Sequence, residues 1–79
     1  MSKIQSPLPG TFYTKPSPEA EPYKAEGDAV AVGDTVDLVE VMKTFIEIKS
    51  EISGVFVAYD APNGDPVTAG QDLAEVSVA

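Results

Sequence analysis

Lys43 stands where two stretches of alternating apolar and polar residues meet, and its primary amine is the reactive group that this junction would present. The stretches Thr35 to Val41 and Thr44 to Lys49 leave only the pair Met42-Lys43 between them, which predicts a two-residue hairpin. Such hairpins favour Asn-Gly or glycine-containing pairs, because their central residues often need φ above zero and this conformation is unfavourable for Met and Lys. Strained turns often have a functional role. The turn therefore makes Lys43 a candidate functional residue, with an ordinary solvated charge as the alternative.

The carboxylates near this turn offer a second kind of chemistry, general acid and base catalysis. Glu40 and Glu47 lie on the two strands that flank it. Neighbouring side chains on a strand point to opposite faces, however, and no nucleophile or cleft accompanies these acids. We therefore interpret them as solvated strand positions. The acidic segment 60–65 resembles a calcium loop but lacks the ligand at its third position and a glutamate at the twelfth, so we interpret it as a turn.

The residue types that are missing exclude most other chemistry. The 79 residues include no Cys and no His, which excludes disulfide scaffolds, zinc fingers, thiol nucleophiles, iron–sulfur sites and histidine relays. A formal charge of −8 argues against nucleic-acid binding through phosphates. The start of the chain has no apolar segment typical of a signal peptide, and no stretch approaches the roughly 20 apolar residues that span a membrane. We expect a cytoplasmic protein without a nucleic-acid or membrane partner.

Short strands are expected to form the fold. Seven prolines and six glycines interrupt the chain, and no apolar pattern of helical period lasts for the roughly 10–12 residues that a helix needs. In the clearest strand, Ile46 and Ile48 face one side while Glu47 and Lys49 face the other. Eight strands are predicted: near Ile4, Gly10 to Tyr13, around Val30, Thr35 to Val41, Thr44 to Lys49, Val55 to Tyr59, around Val67, and Leu73 to Val78. This number favours an all-β sandwich or flattened barrel.

An internal repeat predicts how these strands are arranged. Gly27 to Gly33 recurs 37 positions later as Gly64 to Gly70, and Gly10 to Tyr13 recurs 44 positions later from Gly54. Neither copy could bury its apolar face alone, so two four-strand copies are predicted to pack about a pseudo-two-fold axis into two facing sheets. The result would be one domain over residues 1–79. The expected core consists of Phe12, Val30, Val39, Val41, Ile46, Ile48, Phe56, Val67, Leu73 and Val76.

The two shifts differ by seven residues, and this excess must lie between Gly10 and Gly27. A proline-rich run fills part of that interval: Lys15, Pro16, Ser17, Pro18, Glu19, Ala20, Glu21 and Pro22. Prolines stiffen the backbone and remove the donors that a sheet would use. A tolerated surface insertion is the simpler explanation, because loop length costs little closure entropy. A merely flexible insertion would be richer in Gly and Ser, however, so the stiffness suggests that the shape of this loop matters.

Two separate sets of residues resemble one known family. Glu40 to Lys43, the flanking Gly-Asp repeats and Ile48 to Gly54 resemble the biotinyl domain of biotin-dependent carboxylases, whose modified lysine follows Met in a hairpin. The opening Ser6 to Tyr13, followed by Pro16 to Pro18, is similar to the biotin carboxyl carrier proteins of acetyl-CoA carboxylase. The similarity runs from about Ser6 to Val76. It implies a barrel-sandwich hybrid of two four-stranded antiparallel sheets, in which the insertion is a feature called the thumb.

The resemblance also implies a carrier that has no catalytic group of its own. A biotin protein ligase would join biotin to the Nζ of Lys43, with Val41, Met42 and Thr44 beside the attachment point. An ATP-dependent biotin carboxylase would then carboxylate the biotin. A carboxyltransferase would pass the carboxyl group to an acyl-CoA, and the thumb at residues 15–22 implies acetyl-CoA and hence fatty acid synthesis. The missing Ala- and Pro-rich linker implies either a free-standing carrier or an excised C-terminal domain.

This sequence departs from the common family pattern at three positions. That pattern is Ala-Met-Lys-Met, whereas Val41 replaces the Ala and Thr44 the second Met, and Lys15 stands where such carriers commonly have a small hydroxyl residue. One alternative is a lipoyl-carrier domain of a 2-oxoacid dehydrogenase complex, although an acid usually precedes the lysine there and Met42 precedes it here. The other alternative is an unmodified acidic β module that docks on a basic partner.

Overall fold

The computed structural model describes residues 2–78, so Met1 and Ala79 of the predicted 1–79 domain lie outside the described residues. The described part contains strands and no helix, as the prolines and glycines predict. The eight strands are β1 (Ser2–Gln5), β2 (Gly10–Tyr13), β3 (Ala29–Val30), β4 (Thr35–Val41), β5 (Thr44–Lys49), β6 (Gly54–Tyr59), β7 (Pro66–Val67) and β8 (Asp72–Val78). All eight predicted strands are confirmed.

The strands form two four-stranded antiparallel sheets. Their orders are β1-β8-β6-β3 and β5-β4-β2-β7, so each sheet takes two strands from each half of the chain. Exchanging β1 to β4 with β5 to β8 converts one order into the other. This confirms the flattened barrel-sandwich, in which strands from the two half-chains complete each sheet.

The strand register reproduces both repeat shifts. Phe12 lies opposite Val39 in the β2/β4 pair, and Phe56 lies opposite Val76 in the β6/β8 pair. These pairs are related by the shifts of 44 and 37 positions that the sequence shows. At the start of β2, a Cβ on Gly10 would lie 2.5 Å from the carbonyl oxygen of Glu40, so only glycine fits there. The same close approach holds at the equivalent glycine of β6.

Most of the predicted core is buried. The eight predicted core residues that are buried are Phe12, Val30, Val39, Ile48, Phe56, Val67, Leu73 and Val76. For Val41 and Ile46 the prediction was wrong, because both are only partly buried and pack against the edge of this core. The ladder between β2 and β4 ends where Thr11 faces Glu40, so the β4–β5 hairpin projects beyond the sheet at Val41. The buried cluster also includes Ile4, Val36, Ala61 and Ala74.

An irregularity in β4 buries a carboxylate that the sequence pattern does not single out. The register against β5 shifts between Thr35 and Asp37, which breaks the alternation of side chains and leaves both Val36 and Asp37 with 0% of their surface exposed. Neither carboxylate oxygen of Asp37 has a hydrogen-bond partner among the described residues. Burial accordingly raises the pKa of Asp37 to about 7.

Candidate functional site

The Met42-Lys43 turn has the strained backbone that its residue types predict. Met42 has φ 50° and Lys43 has φ 66°, and these are the two non-glycine residues with positive φ in the part of the chain that the structure describes. Positive φ at both central residues is the pattern of a type I′ hairpin, and Val41 and Thr44 close it as the last pair of the ladder. The left-handed conformation costs about 1–2 kcal/mol for each such residue. Packing of the two long strands therefore imposes a conformation that neither residue favours.

The hairpin presents its lysine to solvent on a fixed base. Met42 is 92% exposed, and Lys43 and Thr44 are exposed as well. Lys43 forms no salt bridge with any residue from 2 to 78. Val41 is half-buried against the core and anchors the base of the hairpin. The arrangement leaves the Nζ free to react while the backbone beneath it is held.

A small polar and aromatic cluster lies beside the hairpin on the outer face of its sheet. The Tyr13 hydroxyl donates a 3.1 Å hydrogen bond to Oε1 of Glu40, which raises the pKa of Tyr13. The Tyr13 and Phe45 rings lie 6.0 Å apart at an angle of 50°, and Phe45 is 58% exposed. Glu40 is therefore a hydrogen-bonded, half-buried group and not the solvated strand position that the sequence suggested, whereas Glu47 is exposed.

The proline-rich insertion forms a protruding loop at the predicted place. The Tyr23 N–H donates to the carbonyl of Thr14 at 2.9 Å and closes its base, one residue outside the predicted bounds 15–22 on each side. A turn in which the Ala20 N–H donates to the carbonyl of Ser17 at 3.1 Å shapes its end. The Thr14 N–H also donates to Oδ1 of Asn63 at 2.8 Å. The loop is thus held at its base and is exposed except at Lys15 and Ala20, which are half-buried.

Tyr59 ties the base of this loop to the core. Its hydroxyl donates to the carbonyl of Val36 at 2.7 Å and accepts from the N–H of Lys24 at 3.2 Å. Its ring packs against Phe12 and Phe56, with centroids 6.0 and 4.7 Å away. Burial raises the pKa of Tyr59 to about 12. The sequence reasoning missed this role because the contacts join residues far apart in the chain, and no local pattern signals them.

A cavity of about 300 Å³ lies between the loop and the hairpin strands. Its lining residues are Tyr13, Lys15, Pro16, Ser17, Pro18, Phe45 and Asn63. The predicted site residues Glu19, Ala20, Glu21 and Pro22 belong to the loop but do not line the cavity. Phe45 follows Lys43 by two residues, so their Cα atoms are at most about 7 Å apart. The cavity is therefore adjacent to the exposed lysine.

A second groove, of about 810 Å³, runs between the edge strands β1 and β5. It is larger, but its lining includes no residue of the loop or of the Met42-Lys43 turn. We therefore assign the candidate site to the smaller cavity and the hairpin. Residues 2–78 hold no cluster of three acidic side chains placed to bind a metal ion, and they form no helix of the length and apolarity that a membrane span requires.

Comparison with known proteins places the chain in a family. A family model described as "Biotin-requiring enzyme" matches residues 2–76. Among curated proteins, the biotin carboxyl carrier protein of acetyl-CoA carboxylase from Porphyra purpurea is 41% identical over 73 residues, which cover 92% of this chain and 46% of that protein. The protein of the same name from Chlamydia trachomatis is 46% identical over 70 residues, which cover 89% of this chain and 43% of that protein. The protein of the same name from a Nostoc species is 34% identical over 76 residues, which cover 96% of this chain and 42% of that protein.

The chain therefore spans less than half the length of these curated relatives. The match nonetheless covers almost all of the described fold, including both sheets and the hairpin. Since the family model matches residues 2–76 of 79, this chain belongs to the biotin/lipoyl family of biotin-requiring enzymes.

Proposed function

We propose that this domain is a biotin carboxyl carrier in which biotin is joined by an amide to the Nζ of Lys43. The biotin carries a carboxyl group from a biotin carboxylase to a carboxyltransferase that acts on acetyl-CoA, the first step of fatty acid synthesis. The observation that carries the proposal is the strained, exposed Met42-Lys43 turn, whose base at Val41 packs against the core. The names of the relatives support the identity of the cargo.

The exposed hairpin suits attachment by a biotin protein ligase. The enzyme must bring an activated carboxyl group of biotin to the amine, and neither Met42 nor Thr44 folds over Lys43 to block it, since all three are exposed. The amine attacks the activated carbonyl carbon, the activating group leaves with the bonding electron pair, and Nζ loses a proton as the amide forms. Because Val41 packs against the core, the ligase meets a tip of fixed shape.

The described residues support a carrier rather than an enzyme. The acid nearest the turn on β4, Glu40, accepts a hydrogen bond from Tyr13, and Glu47 accepts one from Thr35 at 3.3 Å. Both acids are thus engaged with hydroxyl groups, and neither lines the cavity beside the hairpin, where a substrate would bind. A tethered group on a rigid tip instead gains a high effective concentration at each enzyme that it visits. The carboxylase and carboxyltransferase would supply the chemistry, acting on a cytoplasmic carrier.

The cavity fits the ring system of biotin. Its volume of about 300 Å³ is at the lower end of the roughly 300–1,000 Å³ that small-ligand sites occupy. Tyr13, Pro16, Pro18 and Phe45 supply apolar walls, while Asn63 adds a polar amide. We therefore assign the inner part of the thumb to contact with biotin. The remaining thumb residues, Glu19, Ala20, Glu21 and Pro22, would set the shape of the loop.

A two-stage transfer assay tests the proposed function. The biotinylated chain is incubated with a biotin carboxylase, ATP and labelled bicarbonate, isolated, and then mixed with a carboxyltransferase and acetyl-CoA. We expect label first on the protein and then on malonyl-CoA. Lys43→Arg should take up none, whereas Lys49→Arg, which changes another exposed lysine, should behave as the original chain does. A chain that carries biotin but neither accepts nor delivers the label would contradict the proposal.

A further inference from the structure

We propose that Lys15 binds the carboxyl group carried by biotin, so that the thumb cavity holds the carboxylated ring through a charge pair. This inference rests on the proposed function and adds to it a role for one residue of the thumb. Lys15 lines the cavity beside the hairpin and is half-buried. It forms no salt bridge with any residue that the structure describes.

Half-burial without a salt-bridge partner distinguishes Lys15 from the other lysines. Lys3 pairs with Asp60 at 3.1 Å and with Glu75, and Lys24 pairs with Asp34 at 3.1 Å. Lys43 and Lys49 form no salt bridge among the described residues either, but both are exposed. In a chain with thirteen acids and five basic residues, a half-buried lysine without a salt bridge is unexpected, because partial burial of a charged side chain is unfavourable without a partner. The cavity is therefore lined by a lysine that no described carboxylate pairs with at salt-bridge distance.

The carboxylated ring supplies the missing negative charge. The ureido ring of biotin is neutral, and transfer of a carboxyl group to its nitrogen adds one negative charge. Tyr13 and Phe45 offer aromatic walls for the ring, and the acid nearest to them, Glu40, already accepts the Tyr13 hydroxyl hydrogen bond at 3.1 Å. The tether at Lys43, two residues from Phe45, keeps the ring close to the cavity. The unpaired charge of Lys15 thus favours the carboxylated ring over the neutral one.

A charge pair at Lys15 would slow the spontaneous loss of the carboxyl group from biotin. Decarboxylation breaks the bond between nitrogen and the carboxyl carbon, releases carbon dioxide and leaves the electron pair on the ring, which then takes a proton from water. Negative charge therefore moves from the carboxylate into the ring in the transition state. An ammonium group beside the carboxylate stabilises the starting state more than this transition state, and the effect is stronger where water is partly excluded. Lys15 would protect the carboxyl group between the two enzymes.

The lifetime of the loaded carrier tests this role directly. The biotinylated chain is carboxylated with labelled bicarbonate, freed of enzyme and nucleotide, and its loss of label is followed at fixed pH. We expect Lys15→Gln and Lys15→Thr to lose label about 2- to 5-fold faster, as a partly exposed ion pair of up to about 1 kcal/mol implies. Lys49→Gln is the matched control and should decay as the original chain does. High salt should bring the original chain towards the variants by screening the pair.

A second readout separates a charge pair from a change in folding. Amide NMR spectra of the carboxylated and uncarboxylated forms should differ at Lys15 and Phe45. In Lys15→Gln, the difference at residue 15 should vanish while the rest of the spectrum stays unchanged. Equal lifetimes in all four proteins would overturn the role of Lys15 and leave the carrier function intact. Absence of label on every protein would instead contradict the carrier function itself.

Discussion

Asp37 and Ala74 occupy equivalent positions in the two halves of the fold, and both side chains have 0% of their surface exposed. They are 37 positions apart, on β4 and β8, and each follows a register irregularity in its strand pair. The β8 copy shows that a methyl group is sufficient to fill this position. The carboxyl group of Asp37 is therefore not required by the fold and lies in the core without a hydrogen-bond partner among residues 2–78.

This buried acid predicts that the domain becomes less stable as the pH rises. The pKa of Asp37 is about 7 in the folded chain and about 3.9 when unfolded, so the folded state binds more protons between these values. The contribution of Asp37 to stability is full below about pH 4 and falls by up to about 4 kcal/mol as the pH rises through 7. Tyr59, the titratable neighbour of Asp37, has a pKa of about 12 and stays neutral over this range.

Urea unfolding at pH 5 and pH 8 measures the effect. The original chain should have the lower midpoint at pH 8, whereas Asp37→Ala, which copies the residue of the other half, should have nearly equal midpoints and be the more stable at pH 8. Asp34, whose pKa is lowered chiefly by the backbone N–H of Ala31, loses its contribution only at more acidic pH and does not interfere. An equal pH dependence in Asp37→Ala would show that Asp37 is not the source.

Truncation of Ile48 tests the assignment of the core face of β5. Its side chain is 6% exposed and belongs to the central cluster, so Ile48→Ala should reduce the free energy of unfolding by about 2–5 kcal/mol. Val55→Ala, at a position that is 46% exposed, is the control and should change it by less than about 1 kcal/mol. Thermal unfolding of both variants gives the comparison. Unchanged stability in Ile48→Ala would mean that the wrong face of β5 has been assigned to the core.

Removal of the Tyr59 hydroxyl should loosen the base of the thumb. Tyr59→Phe keeps the ring in its packing but removes the 2.7 Å bond to Val36 and the 3.2 Å bond from Lys24, which should lower stability by about 1–2 kcal/mol. Hydrogen exchange at the Lys24 amide should become faster. Tyr13→Phe removes the bond to Glu40 near the surface and should leave that exchange rate unchanged. Unaltered protection at Lys24 in Tyr59→Phe would refute the anchoring role.

Deletion of the thumb should leave the fold intact but reduce the transfer of the carboxyl group. Because the Tyr23 N–H and the Thr14 carbonyl close the loop at its base, removal of residues 16–22 should leave the eight strands intact. The other half of the fold has no such insertion and still forms its strands. We expect biotinylation of Lys43 to continue, since the hairpin does not depend on the loop, and carboxyl transfer to the carboxyltransferase to fall. Full transfer activity would show that the insertion has no part in the function.

Most of the fold could be predicted from the sequence because its signals are local. Alternation of apolar residues marks β5, and the repeated Gly-Asp segments mark equivalent turns, so a pseudo-two-fold sandwich follows from packing alone. The failures come from contacts between distant residues. The irregularity that buries both Val36 and Asp37 depends on the register against β5, and a rule of strict alternation assigns these neighbours to opposite faces.

In the candidate site, too, the local features could be predicted from the sequence and the contacts between distant residues could not. The strained turn at Lys43 could be predicted from its residue types, because Met and Lys are unfavourable where φ is positive. The hydrogen bonds of Glu40 with Tyr13 and of Tyr59 with Lys24 join residues 27 and 35 positions apart. A single sequence holds no signal for such pairs. The cavity lined by Tyr13 and Lys15 likewise emerges only from the folded chain.

The residue that carries biotin tests the assignment of Lys43 as the attachment site. The chain is co-expressed with an active biotin protein ligase, its intact mass is measured, and the modified residue is located by peptide mass spectrometry, alongside Lys43→Arg and the control Lys49→Arg. We predict one biotin per chain, on Lys43, with retention by streptavidin, no modification of Lys43→Arg and full modification of Lys49→Arg. An unmodified chain, a lipoyl mass, or biotin on another lysine would contradict the account.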